Sequence, residues 1–365
     1  MPAPSLLLEL AELDRRLQQQ QARIVRVEDY LQWRNSFQPP DSSWWWHFEI
    51  STPHWWERLD WLWNGLTLVF LAISLSLIAD AVPRFLSGGL DTIGVLAVII
   101  PSLLALLTSG ALTPIGREAR NYLFQKLAKS YWSFFSMAIA LIFLIFLVVF
   151  HQFFPQIAVY FHSQGKQQYQ AGQLEQALSN YQKAIALNPS YAQAHYHLGI
   201  LYEDLQQFDK ANAEYQLAVK QDNSANSLIR LQAYNNWGHL LILQKEYAKA
   251  IAPLKEGKNA LDEEQVKTEG DFQKVNYALL KNLGWAQLEL KNYAEATSLL
   301  QEAIRLDPQK APAHCLLAQL LEAQTQKKKA LTSWNNSIVY ADSGRPDEYL
   351  WLSIAREKLK KGMKP

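Results

Sequence analysis

Histidine and cysteine are the side chains of this chain that could do chemistry, and their spacing favours no catalytic or metal site. The sequence holds 8 histidines and one cysteine, Cys315. His195 and His197 are two residues apart, so on a helix they point to different faces and cannot share a metal ion as an i, i+4 pair could. His314 directly precedes Cys315, and adjacency in sequence does not give the geometry of a nucleophile and its base. We therefore predict no enzyme activity, no metal site and no cofactor.

Motifs and charge exclude further classes of function. The chain has no P-loop, GxGxxG, HExxH or GxSxG string, and a single cysteine cannot form an intrachain disulfide. With 35 Lys+Arg against 34 Asp+Glu, the formal charge is +1, so no basic field would attract nucleic acid. The mean hydropathy of −0.15 hides a division of the chain. The first 157 residues hold nine arginines but only two lysines, whereas 20 lysines follow, so two different environments are joined.

Three apolar segments between residues 61 and 155 predict transmembrane helices. Residues 61–79, 92–112 and 130–155 contain no Asp, Glu, Lys or Arg, and each approaches or exceeds the ~20 residues that cross a bilayer. In the third segment, 13 of the residues from Phe134 to Phe150 are Leu, Ile, Val or Phe. We predict spanning helices over about 61–82, 92–112 and 131–155. The alternative is that these helices are buried in a large soluble domain.

The residues that flank these segments predict how they lie in the bilayer. Seven of the 13 tryptophans fall between Trp44 and Trp63, and we interpret residues 39–60 as a Trp-rich interfacial segment rather than an aromatic core or ligand platform. Basic residues near the ends of the spans number five on the N-terminal side and two on the other. The positive-inside rule therefore predicts an integral, multi-pass membrane protein with a cytoplasmic N-terminus and its C-terminal half on the opposite side of the membrane.

The N-terminal segment, residues 1–38, predicts an amphipathic or coiled-coil helix. Its seam consists of seven apolar residues and the polar Gln20, namely Leu6, Leu10, Leu13, Leu17, Gln20, Ile24, Val27 and Leu31. These residues follow one another at alternating spacings of four and three, which is the heptad pattern. The seam favours a homo-oligomer formed through residues 6–31. Packing of the same face on this protein or on lipid is the alternative.

A 34-residue period organises the second half of the chain. Gly165, Ala177, Tyr181 and Ala184 are repeated 34 positions later as Gly199, Ala211, Tyr215 and Ala218. The pattern returns around Gly238 and Gly284, after insertions of five and twelve residues, and once more around Ala318. Small residues recur where two helices cross closely, and large apolar residues fill the gap beside them.

This pattern resembles the tetratricopeptide repeat (TPR) family, whose signature reads W-x2-L-G-x2-Y … A … F … A … P. The second repeat matches best, from His195 through Gly199 to Ala218, whereas the third has Asp262 at the proline position and the fifth has Ala318 for glycine. The resemblance implies a TPR α-solenoid over residues 158–342, with about five repeats starting near residues 158, 192, 231, 277 and 311. The apolar side of residues 345–362 predicts a helix that caps the last repeat.

The resemblance also implies which side chains would line a concave groove, because in this family the first helix of each pair faces it. They are His162, Lys166, Tyr196, His197, Asn235, Asn236, His239, Lys281, Asn282 and Trp285. Amides, cations and rings suit an extended peptide, since they bond its backbone and carboxylates and cover its side chains. The alternative for each residue is a solvated helix face. His162 and His197 occupy places where the chaperone-tail subset of the family carries its clamp residues, so we do not predict a C-terminal carboxylate as the ligand.

Together these features predict an all-α protein with an N-terminal helix, three transmembrane helices and a TPR solenoid. We interpret it as a non-enzymatic, membrane-anchored scaffold or adaptor that binds partner proteins or peptides, in assembly or recruitment of a membrane protein complex. The expected partners are a protein or extended peptide and the lipid bilayer, not nucleic acid. The alternative hypothesis is an accessory subunit of a transporter or secretion complex in which the three-helix part is the functional unit. The absence of charge inside the spans argues against ion or proton conduction.

Overall fold

The computed structural model describes residues 4–25, 29–38, 57–89, 132–222, 228–262, 270–341 and 346–362, together with a few isolated positions. Every regular element among these residues is a helix. Contacts divide the chain into two compact units, residues 1–70 with 108–141 and residues 71–107 with 142–365. The expected second span, residues 92–112, lies outside the described residues apart from Val95 and Ile99, and most of the Trp-rich segment 39–60 lies outside them too.

The N-terminal segment forms two helices rather than the one predicted over residues 1–38. Helix α1 covers Pro4–Ile24 and α2 covers Tyr30–Phe37. The β-branched residues Ile24, Val25 and Val27 lie where α1 ends, before α2 begins. Their restricted χ1 angles disfavour a helix there. The heptad seam therefore continues only to Ile24, a correction to the predicted seam over residues 6–31.

Two long apolar helices follow. Helix α3 covers Asp60–Leu86 and α4 covers Trp132–Gln152, with 27 and 21 residues. At 1.5 Å per residue they are about 40 and 30 Å long. Both are long and apolar enough to cross a membrane, and only 17% of the most apolar window of each is buried. The third span was predicted to reach residue 155, but α4 ends at Gln152 because Pro155 lies in the first turn of the next helix.

Within the second unit, α3 and α4 lie side by side and run in the same direction. Ile78 shares a buried cluster with Phe143 and Leu147. Further along, the Phe85 ring stacks on that of Phe150 at 5.9 Å between centroids. Contacts thus advance along both helices together, which is the pattern of parallel neighbours.

The rest of the second unit consists of five helix pairs and a final helix. The pairs are α5 Phe154–Gln170 with α6 Leu174–Leu187, α7 Ala192–Asp204 with α8 Phe208–Gln221, α9 Leu228–Leu243 with α10 Tyr247–Asp262, α11 Gly270–Glu289 with α12 Tyr293–Leu306, and α13 Ala311–Ala323 with α14 Lys327–Tyr340. The final helix, α15, covers Pro346–Gly362. The helices of each pair pack together, and the second helix of each pair packs on the first helix of the next. The first pair begins at Phe154, four residues before the predicted start.

The recurring small residues let the two helices of a pair approach closely. A Cβ atom added at Gly199 would lie 2.6 Å from the Tyr215 ring, and one at Gly238 would lie 2.3 Å from the Leu254 side chain. Tyr215 and Leu254 are completely buried. Each glycine therefore makes room for a large side chain of the second helix, which explains the 34-residue spacing of small and large residues.

The two ends of this stack of helices are covered by different elements. At the last end, Leu352 and Ala355 of α15 are buried, and Ala355 lies in one cluster with Trp334. At the first end, Phe85 near the end of α3 is buried among Phe154, Phe161 and other residues of the first pair. The Ser179 hydroxyl of α6 also donates a hydrogen bond to the Gly88 carbonyl at 2.5 Å. The sequence analysis did not predict this second cover.

Candidate partner-binding groove

The first helices of the five pairs form one continuous inner face. Successive first helices contact each other in addition to their own partners, so α5, α7, α9, α11 and α13 lie side by side. All ten predicted groove residues lie on four of these helices. Lys166 is exposed, whereas His162, Tyr196 and Asn282 are buried. The partly exposed residues are His197, Asn235, Asn236, His239, Lys281 and Trp285.

Two histidines and a tyrosine are in contact at the first end of the inner face. His162 Nε2 lies 3.1 Å from His197 Nδ1, and the Tyr191 hydroxyl lies 3.2 Å from His162 Nδ1. His197 Nδ1 is also 2.8 Å from the Gln193 carbonyl oxygen, so one ring nitrogen is shared between two contacts. Burial, with His197 and Lys166 nearby, lowers the pKa of His162 to about 4. Burial also lowers the pKa of His197, so both rings are neutral at pH 7.

Three asparagines join two first helices in the middle of the inner face. Asn282 Nδ2 donates a hydrogen bond to Asn235 Oδ1 at 2.9 Å, and Asn235 Nδ2 donates to Asn236 Oδ1 at 3.1 Å. We refer to Asn235, Asn236 and Asn282 as the amide chain. Asn282 is only 1% exposed. Its amide therefore bonds α11 to α9 and is not presented to a partner, unlike the role that the resemblance implies for it.

The amide chain lies beside a set of buried hydroxyl groups. The Asn236 side chain is near the Tyr196 and Tyr215 hydroxyls and acts to lower the pKa of both. Tyr215 also donates to Glu203 Oε2 at 2.7 Å. Burial raises the pKa of Tyr196 to about 12, and burial raises the pKa of Glu203 as well. Tyr196 is therefore held in place by neighbours within the protein, whereas Asn235 and Asn236 remain partly exposed.

An aromatic row crosses the later part of the inner face. The centroids of His239 and Trp285 are 6.2 Å apart, and Trp285 meets Trp351 edge to face at 5.4 Å. Burial and the nearby Lys281 lower the pKa of His239 to about 4, so its ring is neutral. We refer to His239, Trp285 and Trp351 as the aromatic row. The predicted groove did not include Trp351, which lies on α15 and not on a first helix.

His195 and His314, which stand at the tryptophan position of the family signature, have structural roles. His195 Nε2 lies 3.1 Å from the Pro189 carbonyl oxygen, and His314 Nε2 lies 2.9 Å from that of Pro308. Both side chains are buried. Each thus fixes the loop before its own helix. Among the described residues, no group of three or more His, Cys, Asp or Glu could hold a metal ion.

Comparison with known families agrees with the 34-residue period. A family model described as "TPR repeat" matches residues 165–206, and models described as "Tetratricopeptide repeat" match residues 192–224 and 277–310. These matches cover the first, second and fourth helix pairs. The third and fifth pairs, which depart from the signature, are not among them.

Two relatives match part of the chain. The type IV pilus assembly protein PilF of Pseudomonas aeruginosa is 29% identical over 152 residues, which are 42% of this chain and 54% of that protein. The tetratricopeptide repeat-containing protein trd-1 of Caenorhabditis elegans is 23% identical over 171 residues, 47% of this chain and 19% of that one. The chain thus spans about half the length of the first relative and a fifth of the second.

Solved structures were compared as well. The structure of Pseudomonas aeruginosa PilF gives a TM-score of 0.43 at 22% identity, over 57% of this chain and 89% of that one. The pilus biogenesis factor PilW gives 0.45 at 18% identity, again over 57% and 89%. YrrB, described as a TPR protein with an unusual peptide-binding site, gives 0.40 at 17% identity over 55% and 92%.

Proposed function

Because the chain is a tetratricopeptide repeat protein, we propose that it is a non-enzymatic, membrane-anchored scaffold that holds a partner protein or extended peptide on its inner face. The observation that carries this proposal is the set of partly exposed polar and aromatic side chains on consecutive first helices, Asn235, His239, Lys281 and Trp285. We propose assembly or recruitment of a membrane protein complex as its role, which the name of the relative PilF supports by analogy.

The chemistry of the inner face suits an extended polypeptide. Neutral imidazoles and amides can bond a peptide backbone in either direction, because each carries both donor and acceptor capacity. Lys166 and Lys281 offer charge-assisted bonds to carboxylates. The aromatic row provides apolar surface for side chains of the partner. Such a surface recognises a strand of polypeptide by its backbone and selects it by a few side chains.

We further propose that three helices anchor the protein, with the repeats on the side opposite a cytoplasmic N-terminus. Helices α3 and α4 have the length and exposed apolar surface that a membrane span needs. They also run in the same direction, and two parallel neighbours can both cross a bilayer only if the connecting segment makes a return passage. The apolar residues 92–112 are long enough for that passage.

Residues 6–24 of α1 support a proposed contact between copies of the chain. Leu10 and Leu13 lie on the heptad seam and are 50% and 54% exposed. An exposed seam of this kind is covered when two helices pair. Disulfide trapping between Leu13→Cys chains tests the contact, and Arg15→Cys, on the opposite side of the helix, is the control that should not trap.

Site-specific photo-crosslinking in the intact, membrane-bound protein tests the scaffold proposal. A photo-reactive residue at Lys166 or Lys281 should form crosslinks to a partner polypeptide. The matched control is the same residue at Lys220, which is exposed on the second helix α8 and should give few crosslinks. Lys281→Glu should reduce recovery of that partner, whereas Lys220→Glu should not. Equal crosslinking from Lys220 would refute the inner face as the binding surface.

The alternative candidate is an accessory subunit whose three-helix part is the functional unit. It is favoured by the exposed apolar surface of α3 and α4, which could contact other membrane proteins as well as lipid. Photo-crosslinkers at exposed span residues, such as Ile73 and Ile145, separate the two candidates. Partner crosslinks only from these positions would favour the alternative and refute the scaffold.

A further inference from the structure

The exposed apolar surface of α4 continues beyond the end of that helix. Val149 in α4 is 48% exposed. After α4 ends at Gln152, Phe153, Val159 and Tyr160 are 51%, 50% and 48% exposed. The last two belong to α5, the first helix of the first pair. Exposed apolar residues therefore extend about two turns into the repeats, with the exposed amides Gln152 and Gln156 among them.

The backbone passes from α4 to α5 with little interruption. Phe153, the residue between them, keeps helical angles of φ −85° and ψ −6°. Its N–H donates to the Phe150 carbonyl at 3.0 Å, and its carbonyl accepts from Ile157 N at 3.0 Å. At 100° per residue, Phe153 and Tyr160 lie on the same side of this stretch of helix. Phe153 and Tyr160 thus continue the exposed side of α4 onto α5.

The opposite side of α5 is already occupied by the core. Phe154, Ala158 and Phe161 are buried with Phe85 of α3. The exposed residues Phe153, Val159 and Tyr160 are therefore additional to the core and are not needed to hold the first pair together.

The exposed side of α5 changes from mixed to polar along its length. Up to Tyr160, the polar Gln156 is exposed beside Val159 and Tyr160. After Tyr160, the exposed residues are Ser163, Lys166, Gln167 and Gln170. A helix that leaves a bilayer meets acyl chains, then headgroups, then water, and its exposed residues change in the same order. Tyrosine is favoured at the middle step, because its ring is apolar and its hydroxyl can bond a headgroup.

We propose that the exposed side of the first two turns of α5 lies in the interfacial region of the bilayer. This inference rests on the membrane anchoring proposed above. Continuity with the exposed apolar surface of α4 selects lipid as the occupant, since the same surface would be in lipid one turn earlier. Lys166 is six residues beyond Tyr160, which is about 9 Å along the helix. The first end of the inner face then lies close to the membrane, within reach of a polypeptide that emerges from it.

Fluorescence quenching in lipid vesicles tests the inference. Tyr160→Cys and Val159→Cys place an environment-sensitive fluorophore on the proposed contact, and both sites are exposed, so the labels leave the core intact. Gln167→Cys is the matched control, on the same side of α5 and about two turns further. Tyr349→Cys, at an exposed site on α15, is the distant control. Cys315 is buried, and burial raises the pKa of its thiol to about 12, so it should not be labelled.

The expected result is that lipids with a nitroxide near the headgroup quench the labels at residues 159 and 160 several-fold more than those at 167 and 349. Equal quenching at all four sites in vesicle-bound protein would overturn this inference alone. Blue-shifted emission at residue 160 without lipid quenching would also overturn it, since a protein surface would then be the occupant. Failure of the full chain to remain with vesicles after a carbonate wash would refute the anchoring itself.

Discussion

The two ends of the helix stack in the second unit are closed in different ways. The last end is covered by α15, the next helix in the chain, with Leu352 and Ala355 buried. The first end is covered by Phe85 of α3, a helix whose other surface is apolar and exposed. A cap that follows in sequence closes only its own end. Because Phe85 belongs to the apolar helix α3, its burial both covers the first end of the stack and attaches the repeats to that helix. The burial of α15 only covers the last end.

The largest effect that would test this comparison is expected from Phe85→Ala. Phe85 is 1% exposed, and removal of a buried phenylalanine side chain typically costs about 3–5 kcal/mol. We expect a lower unfolding temperature in detergent and faster hydrogen exchange in α5 and α6. Leu86→Ala is the matched control. Because Leu86 is 36% exposed, its truncation should lower the stability of the protein far less. Equal losses from the two variants would show that Phe85 does not close the first end.

A smaller and more local effect is expected from Leu352→Ala at the last end. Leu352 is 4% exposed, and a buried leucine truncated to alanine costs about 2–5 kcal/mol. Because α15 is terminal, we expect the loss to appear as local opening of α15. Hydrogen exchange should therefore accelerate in α15 and stay unchanged in α5. The control is Arg356→Ala, at an exposed position of the same helix. Faster exchange in α5 would contradict the independence of the two ends.

The sequence predicts one cap and misses the other for a physical reason. The amphipathic pattern of α15 is visible locally, because a helix that covers its neighbour in sequence must carry one apolar side. Phe85 lies near the end of a helix whose apolar residues are spread around its whole circumference, so its apolar character does not distinguish it from a lipid-facing residue. The close approach of Gly199 to Tyr215, in contrast, could be predicted, since the 34-residue spacing places a small residue opposite a large one.

Prediction from the sequence is limited in the same way at the inner face. The period and the resemblance place the predicted residues on first helices, but they do not tell which amides bond each other. Asn235 and Asn282 are 47 positions apart, and their hydrogen bond depends on how α9 and α11 are spaced. The contact of Trp351 with Trp285 likewise joins residues whose sequence spacing follows no repeat. Contacts between pairs are set by packing, which a single sequence does not specify.

Acid should weaken the first end more than the last. His162 has a folded-state pKa of about 4, below the ordinary value of 6.5, so the unfolded chain binds more protons between these pH values. Stability is thus fully present above pH ~6.5 and falls as the pH drops toward 4, by at most about 1.4 kcal/mol per pH unit for this one group. We expect His162→Gln to flatten the pH dependence of unfolding monitored by hydrogen exchange in α5. His314→Gln, at the last pair, should leave it unchanged. A steep dependence that survives His162→Gln would assign it to other groups.

The smallest effect is expected from the ion pair at the last end. Lys358 Nζ lies 2.6 Å from Glu322 Oε2, but the two side chains are 42% and 35% exposed, so solvent screens the attraction. Glu322 also accepts a hydrogen bond from Trp334 Nε1 at 2.9 Å and keeps that partner when the lysine is removed. Lys358→Met should therefore cost at most about 1 kcal/mol, and less at high salt. Chemical unfolding at two salt concentrations measures this loss of stability. A loss as large as that of Leu352→Ala would mean that charge, rather than apolar burial, closes the last end.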